Sequence, residues 1–172
     1  GDIFTKFREI EIDNNFVKFM AFLFSEGYII EDRMGLSQSV YKNMRDEVLA
    51  YLKSLDIHYI GCNDKDFQIN NLLFVKYLRT KFLIEDGKNM QIPGWVLNLE
   101  PEKKRLFLKW FFTFEGGEEN SSIALVQSRR DNINILSYLL AEFGVFCSFS
   151  RMYKCATNTQ NKKKKLYFRL TI

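Results

Sequence analysis

The chain is 172 residues long, 47% hydrophobic and 16% aromatic, with a formal net charge of +4 at pH 7. That suffices for one sizeable core; no apolar run reaches membrane-spanning length, and no charged-then-apolar segment reads as a signal peptide, so no membrane partner is expected. Three cysteines without a CxxC pair and a single histidine, His58, exclude a disulfide scaffold and a zinc site of four Cys or His ligands, leaving reduced structural thiols and an intracellular setting as the expectation.

From Asn14 to Ser25 apolar residues fall on nearly every side (Phe16, Val17, Phe19, Met20, Phe22, Leu23, Phe24), which predicts a helix buried all round. Asp13 or Asn14 supplies the N-cap and Gly27 the stop. Tyr28 to Ile30 and Met34 to Val40 read as a hairpin turning near Asp32-Arg33. A helix from Tyr41 to Leu55 presents Met44, Val48, Leu52 and Leu55 on one face. Ile57 to Cys62, which carries His58, and Phe67 to Ile69 read as a second hairpin, and Leu72 to Phe82 as a third helix. Glu85 to Lys88 is linker-like. The second half repeats the order: a helix from Glu102 to Phe114, a strand from Ser122 to Gln127, a helix from Asp131 to Phe143, and strands from Val145 to Tyr153 and Lys165 to Ile172.

The order repeats because the sequence does. Phe19 to Gly27 (FMAFLFSEG) and Leu108 to Gly116 (LKWFFTFEG) are bulky apolar runs closed by one carboxylate and a glycine, with Glu26 and Glu115 separated by 89 positions. Gln38-Ser39 and Gln127-Ser128 follow their glutamates at the same distance, as do Asn43 and Asn132. Self-similarity of this length predicts two pseudo-equivalent units: 14–84 and 102–172, with 1–13 a lead-in and 85–101 a linker. A carboxylate closing a buried helix sits at the negative end of the dipole, which disfavours it unless it caps a neighbour, meets solvent or holds a cation. Two of them at matching places predict a symmetric site built from both halves.

These features resemble the LAGLIDADG homing endonucleases. FMAFLFSEGY and FLKWFFTFEGG are similar to the two namesake helices, Ile92 to Trp95 (IPGW) to the segment that introduces the second, and Leu36 to Ser39 (LSQS) to the strand-to-helix junction. The resemblance covers about residues 14 to 172. It implies an α+β chain of two pseudo-symmetric αββαββ(α) repeats, packed through the two central helices, with a saddle-shaped antiparallel sheet for DNA. It further implies a monomer that cuts both strands of a long pseudo-palindromic duplex site, leaving short 3′ overhangs, in the service of intron or intein mobility. Glu26 and Glu115 would be the metal-ligating catalytic acids, with Mg²⁺ or Mn²⁺ supplying hydroxide and charge neutralisation. Gln38, Gln127 and Lys88 are the further candidate catalytic residues. A family member without catalysis would instead grip intron RNA as a maturase or bind DNA as a regulator. Two departures from the family pattern point that way: Trp110 and Phe114 stand where the first helix has the small residues Ala21 and Ser25, and Met90-Gln91 precede Ile92 where a basic residue is usual.

The charge distribution agrees with a polyanionic partner. Residues 121–172 hold nine Lys and Arg against Asp131 and Glu142, a net +7, which leaves −3 for the rest. The last strand alternates Leu166, Phe168, Leu170 and Ile172 with Lys165, Tyr167, Arg169 and Thr171, so one face is apolar and the other polar and basic. The candidate DNA-binding set is Arg33, Gln38, Gln127, Arg129, Arg130, Arg151, Lys154, Lys162, Lys163, Lys164, Lys165, Tyr167 and Arg169.

Overall fold

Helix α1, Asn14–Glu26, has no polar face because each of its surfaces has a neighbour. In the computed structural model of the protein, which describes residues 9–155 and 163–172, it is the axis of the core. Asp13 caps it, its Oδ1 accepting from the Phe16 N–H at 2.8 Å. Phe16 meets Phe82 and Trp95, Phe19 meets Tyr51 and Phe74, Phe22 meets Phe67 and Phe114, and Phe24 meets Phe107, with ring centroids 4.5–6.3 Å apart. The aromatic richness of the composition is therefore concentrated around one helix.

The remaining helices are α2 (Lys42–Ser54), α3 (Leu72–Phe82), α4 (Pro101–Glu115) and α5 (Arg130–Glu142). The strands are β1 (Gly27–Ile30), β2 (Arg33–Ser37), β3 (Ile60–Gly61), β4 (Asp66–Ile69), β5 (Gly87–Lys88), β6 (Gly117–Glu119), β7 (Ser122–Gln127), β8 (Ser148–Cys155) and β9 (Lys164–Thr171). They form two antiparallel sheets, ordered β3-β4-β2-β1-β5 and β6-β7-β9-β8. Without β5, the first order read backwards is the second, so each half builds the same αββαββ unit around its long helix. The surface expected as one saddle-shaped sheet is divided between these two.

Local chemistry explains the repeat in detail. Helices α2 and α5 end alike: Asp56 and Gly144 take left-handed conformations (φ 56 and 74°), and the next N–H bonds back, Ile57 to the Leu52 carbonyl and Val145 to that of Leu140, each at 3.0 Å. These bonds hold Ile57 and Val145 to the helix ends. The expected strands from Ile57 and Val145 therefore begin later, at Ile60 and Ser148. His58 lies before β3, exposed, with its Nε2 3.6 Å from Asp56 Oδ1.

Three short elements escape the sequence pattern: β5, β6 and a 3-10 turn over Gly94–Asn98. Strand β5 lies inside the linker-like stretch and adds an edge to the first sheet by pairing Gly87 and Lys88 with Ile29 and Tyr28. The two halves differ at the far end. Helix α3 covers the first sheet, and Met34 and Ile69, paired across β2 and β4, are fully buried. The corresponding pair in the second half, Ile123 and Ile172, has no described helix over it and is 45% and 37% exposed.

Candidate active site

Both long helices pass into a strand with no intervening loop. Gly27 and Gly116 are extended, and their N–H groups bond back to the Leu23 and Phe112 carbonyls. A Cβ on either glycine would lie 2.6 Å from that carbonyl oxygen, so only glycine permits the turn from helix to strand here. Glu26 and Glu115, the last helical residues, are thereby fixed at the two helix–strand junctions.

The two carboxylates share one electrostatic environment. Burial raises the Glu26 carboxyl above its usual range. Burial first, and then the negative charge of Glu26, push Glu115 up to about 7, against a hydrogen bond from Gln127 that lowers it. The acids are therefore close enough to repel. Among the described residues no third His, Cys, Asp or Glu joins them into a larger metal-binding group.

The bulky residues of α4 dock against aromatic and basic neighbours. Ser25 Oγ turns back onto its own helix, donating to the Ala21 and Phe22 carbonyls at 2.8 and 3.2 Å. The Phe114 ring stands edge-on to Phe22 (5.1 Å, 90°) and contacts Tyr41 and Trp110, while Lys18 Nζ lies 5.6 Å over the Trp110 ring.

No family model and no curated protein sequence matches this chain. Solved structures do match it. Mesophilic variants of the homing endonuclease I-DmoI superpose with a TM-score of 0.62 at 10% identity, covering 92% of this chain and 88% of theirs. I-DmoI in complex with DNA and Mn gives 0.62 and 10%, over 92% and 89%. Full-length DUF199/WhiA from Thermatoga maritima gives 0.53 and 12%, over 94% of this chain and 53% of its own. This chain has the LAGLIDADG fold.

Within that fold the two candidate glutamines are not equivalent. Gln127 Nε2 donates to Glu115 Oε2 at 3.0 Å. Gln38 does not reach Glu26 in this way; its Oε1 accepts from the Val40 and Tyr41 N–H groups at 2.8 and 3.2 Å, in the turn that leads into α2. Asn132, fully buried, joins Gln127 to the segment before α4. The sequence alone does not reveal that role, because the counterpart at the same offset, Asn43, is exposed. Lys88 lies on β5 opposite Tyr28, its Nζ 5.9 Å from that ring.

The outward face of the first sheet carries one row across all five strands: Ile60, Gln68, Gly35, Tyr28 and Lys88. Any side chain at 35 would occupy the space of the Tyr28 ring. Tyr28 and Gln68 are not among the residues expected from sequence, although register puts both in the same row as Lys88, with Tyr28 directly beside it. Arg33, beside the turn between β1 and β2, is exposed.

On the second sheet the same parity sets Lys165, Tyr167, Arg169 and Thr171 on one face with Ser148, Ser150, Met152 and Lys154. Lys154 and Lys165 face each other directly, an unfavourable pair that an anion would relieve. Lys165 also lies over the Tyr167 ring, 5.6 Å from its centroid, and Arg169 is ion-paired with Glu119. Lys163 is exposed just before β9, and Lys164, opposite Cys155, alternates to the other side; Lys162 is outside the described residues.

Three arginines depart from the expected basic surface. Arg151 pairs with Phe168 and so shares the opposite face from Lys165 and Arg169, in a groove with Arg130, Ile133 and Phe149. Arg130 begins α5 at that groove. Arg129 is committed to the linker, donating from Nε to the Asn89 carbonyl at 2.9 Å and lying 3.6 Å from Glu85.

The raised carboxyl of Glu115 has a consequence for stability. A carboxyl whose protonation midpoint rises from 4.5 to about 7 on folding binds its proton more tightly in the folded state, so stability falls as pH rises through that window. Glu115→Gln, a mimic of the protonated acid, should melt above the wild type at pH 8 and show a shallower decline between pH 5 and 8. Identical slopes in thermal melts across that range would show that folding does not raise the Glu115 carboxyl.

Proposed function

We propose that the protein is a divalent-cation-dependent endonuclease of duplex DNA, with Glu26 and Glu115 as its metal-ligating catalytic acids. The observation that carries this reading is the pairing of two half-buried, mutually repelling carboxylates at matching helix–strand junctions. The donor set fits Mg²⁺ or Mn²⁺: the oxygen ligands are hard, two carboxylates suffice where water and phosphate complete the shell, and a cation cancels the repulsion. When bound, the cation lowers the pKa of water and neutralises charge on the phosphate. The protein's part is to hold the two acids at fixed places, orient Glu115 through Gln127, and bring a duplex over them. I-DmoI, of the same fold, has been crystallised with DNA and with Mn, Ca or Mg, which supports the reading.

The outward faces of the sheets would carry the duplex. Tyr28, Gln68 and Lys88 on one side, and Lys154, Lys165, Tyr167 and Thr171 on the other, are side chains that reach phosphates and base edges. Lys163, Lys164 and Arg33 add charge at the margins. Arg169 would exchange Glu119 for phosphate. The binding is therefore salt-dependent, and neutralising Lys154 and Lys165 should reduce the slope of log affinity against log salt by about 0.9 for each phosphate that the variant no longer neutralises. An unchanged slope in the double alanine variant would place the duplex elsewhere.

The alternative is a protein of this fold that binds DNA or folded RNA without cutting it. Lys88 lies against Tyr28, and Met90 stands where the family has a basic residue; these observations favour it. Incubation with a randomised duplex library and Mg²⁺ or Mn²⁺, followed by sequencing of ends, separates the two. The nuclease yields paired breaks at one long, imperfectly palindromic sequence; the binder yields enrichment without ends.

A further inference from the structure

We propose that Asn132 is a positioning residue that makes the two halves of the site unequal, by fixing Gln127 as a hydrogen-bond donor to Glu115 while Glu26 has no such partner. The inference rests on the nuclease reading and concerns how that site is organised.

The orientation of Asn132 is dictated by backbone chemistry. Its Oδ1 accepts from the Ile92 N–H at 2.7 Å and its Nδ2 donates to the Met90 carbonyl at 3.0 Å. An N–H only donates and a carbonyl only accepts, so the Asn132 amide cannot be reversed without losing both bonds. The second Nδ2 proton is then directed to Gln127 Oε1 at 3.1 Å. With its oxygen engaged there, Gln127 presents its nitrogen to Glu115 Oε2 at 3.0 Å. Asn132 is fully buried and Gln127 only 7% exposed, so water does not readily substitute for either bond. Each link has one allowed polarity, running from the Met90–Ile92 backbone to the carboxylate.

The first half has the same residue types at the same offsets and lacks the relay. Asn43 is exposed, and Gln38 uses its oxygen to hold the turn before α2. Glu115 is therefore held in one orientation with Oε2 engaged and Oε1 left for a cation, whereas Glu26 receives no corresponding bond from its glutamine. The segment before α4 is anchored a second time by Arg129 on Asn89. The linker thus reaches Glu115 through a side-chain relay, whereas on the Glu26 side it pairs with the backbone of β1.

The test is strand-resolved cutting of the library-selected duplex in Mg²⁺, each strand labelled separately. Asn132→Ala should slow one strand by about 10- to 100-fold, the range for groups that orient metal ligands, and change the other less than about twofold. Because this variant strips Ile92 and Met90 of partners, Gln127→Leu serves as the second: it leaves the bonds of Asn132 to the backbone in place and should slow the same strand. Asn43→Ala should alter neither. Equal slowing of both strands, or of neither, in folded Asn132→Ala and Gln127→Leu overturns the proposal. A second readout needs neither metal nor cutting. In ¹⁵N-labelled protein, the Gln127 side-chain amide signals should move in Asn132→Ala and in Glu115→Gln. Unmoved signals overturn the relay. A wild type that cuts nothing while those signals move refutes the nuclease reading and the inequality of strand cutting, and keeps only the hydrogen-bond relay.

Discussion

Replacing either Glu26 or Glu115 by Gln should abolish double-strand cutting while duplex affinity is kept or improved. Gln retains the size and hydrogen-bonding reach of the acid and removes its charge. Cation ligation weakens, and one less carboxylate repels the phosphates. The loss should exceed about 100-fold, the upper end for groups that merely orient ligands. The core should not suffer, because neither side chain belongs to the aromatic cluster around α1 and either change relieves part of the burial and repulsion that raise Glu115. Single-turnover cutting and equilibrium binding on the same duplex check both halves of the expectation. Cutting that survives both substitutions would place the chemistry on other residues.

The second large effect is on stability. Gly116→Ala and Gly27→Ala each put a Cβ 2.6 Å from a backbone carbonyl oxygen of the preceding turn, and Gly27 adds a 2.8 Å contact with the Leu23 side chain. A backbone oxygen cannot turn aside as a side chain can, so the helix–strand junction itself must open. Overpacking of this kind costs about 1–3 kcal/mol, more than the roughly 0.4–1 kcal/mol that alanine gains by restricting the unfolded chain. For a chain of this size the melting temperature should fall by about 2–10 °C. Gly117→Ala is the control, since nothing lies within 4 Å of a Cβ there. The same strain moves the adjacent glutamate, so cutting should fall by more than the loss of folded protein explains. Equal melting of all three variants would show that the glycines are not required by the junction.

Much of this is legible in the sequence because the chain states it twice. The Glu-Gly closure of both long helices, the buried character of α1 and the alternation along β9 each follow from periodicity and repetition, and Leu72–Phe82 has the bounds its pattern predicts. What is not legible depends on register or on neighbours distant in sequence. Strands of two or three residues, such as β5 and β6, are too short to show alternation. Arg151 reads as part of the basic face because its strand is basic; only the pairing with Phe168 reveals its parity. Arg129 looks free until the Asn89 carbonyl is beside it. Gln38 and Gln127 sit at the same offset, yet one holds a turn and the other an acid, a difference set by Asn132 and the Met90–Ile92 backbone, about 40 residues away in sequence.

The claim that the two acids form one cation site is tested most directly by diffraction at the manganese edge from crystals of the protein with its selected duplex and Mn²⁺. The account predicts anomalous density within bonding distance of carboxylate oxygens of both Glu26 and Glu115. An ordered duplex lying over the acids, with manganese absent from both carboxylates, would contradict it.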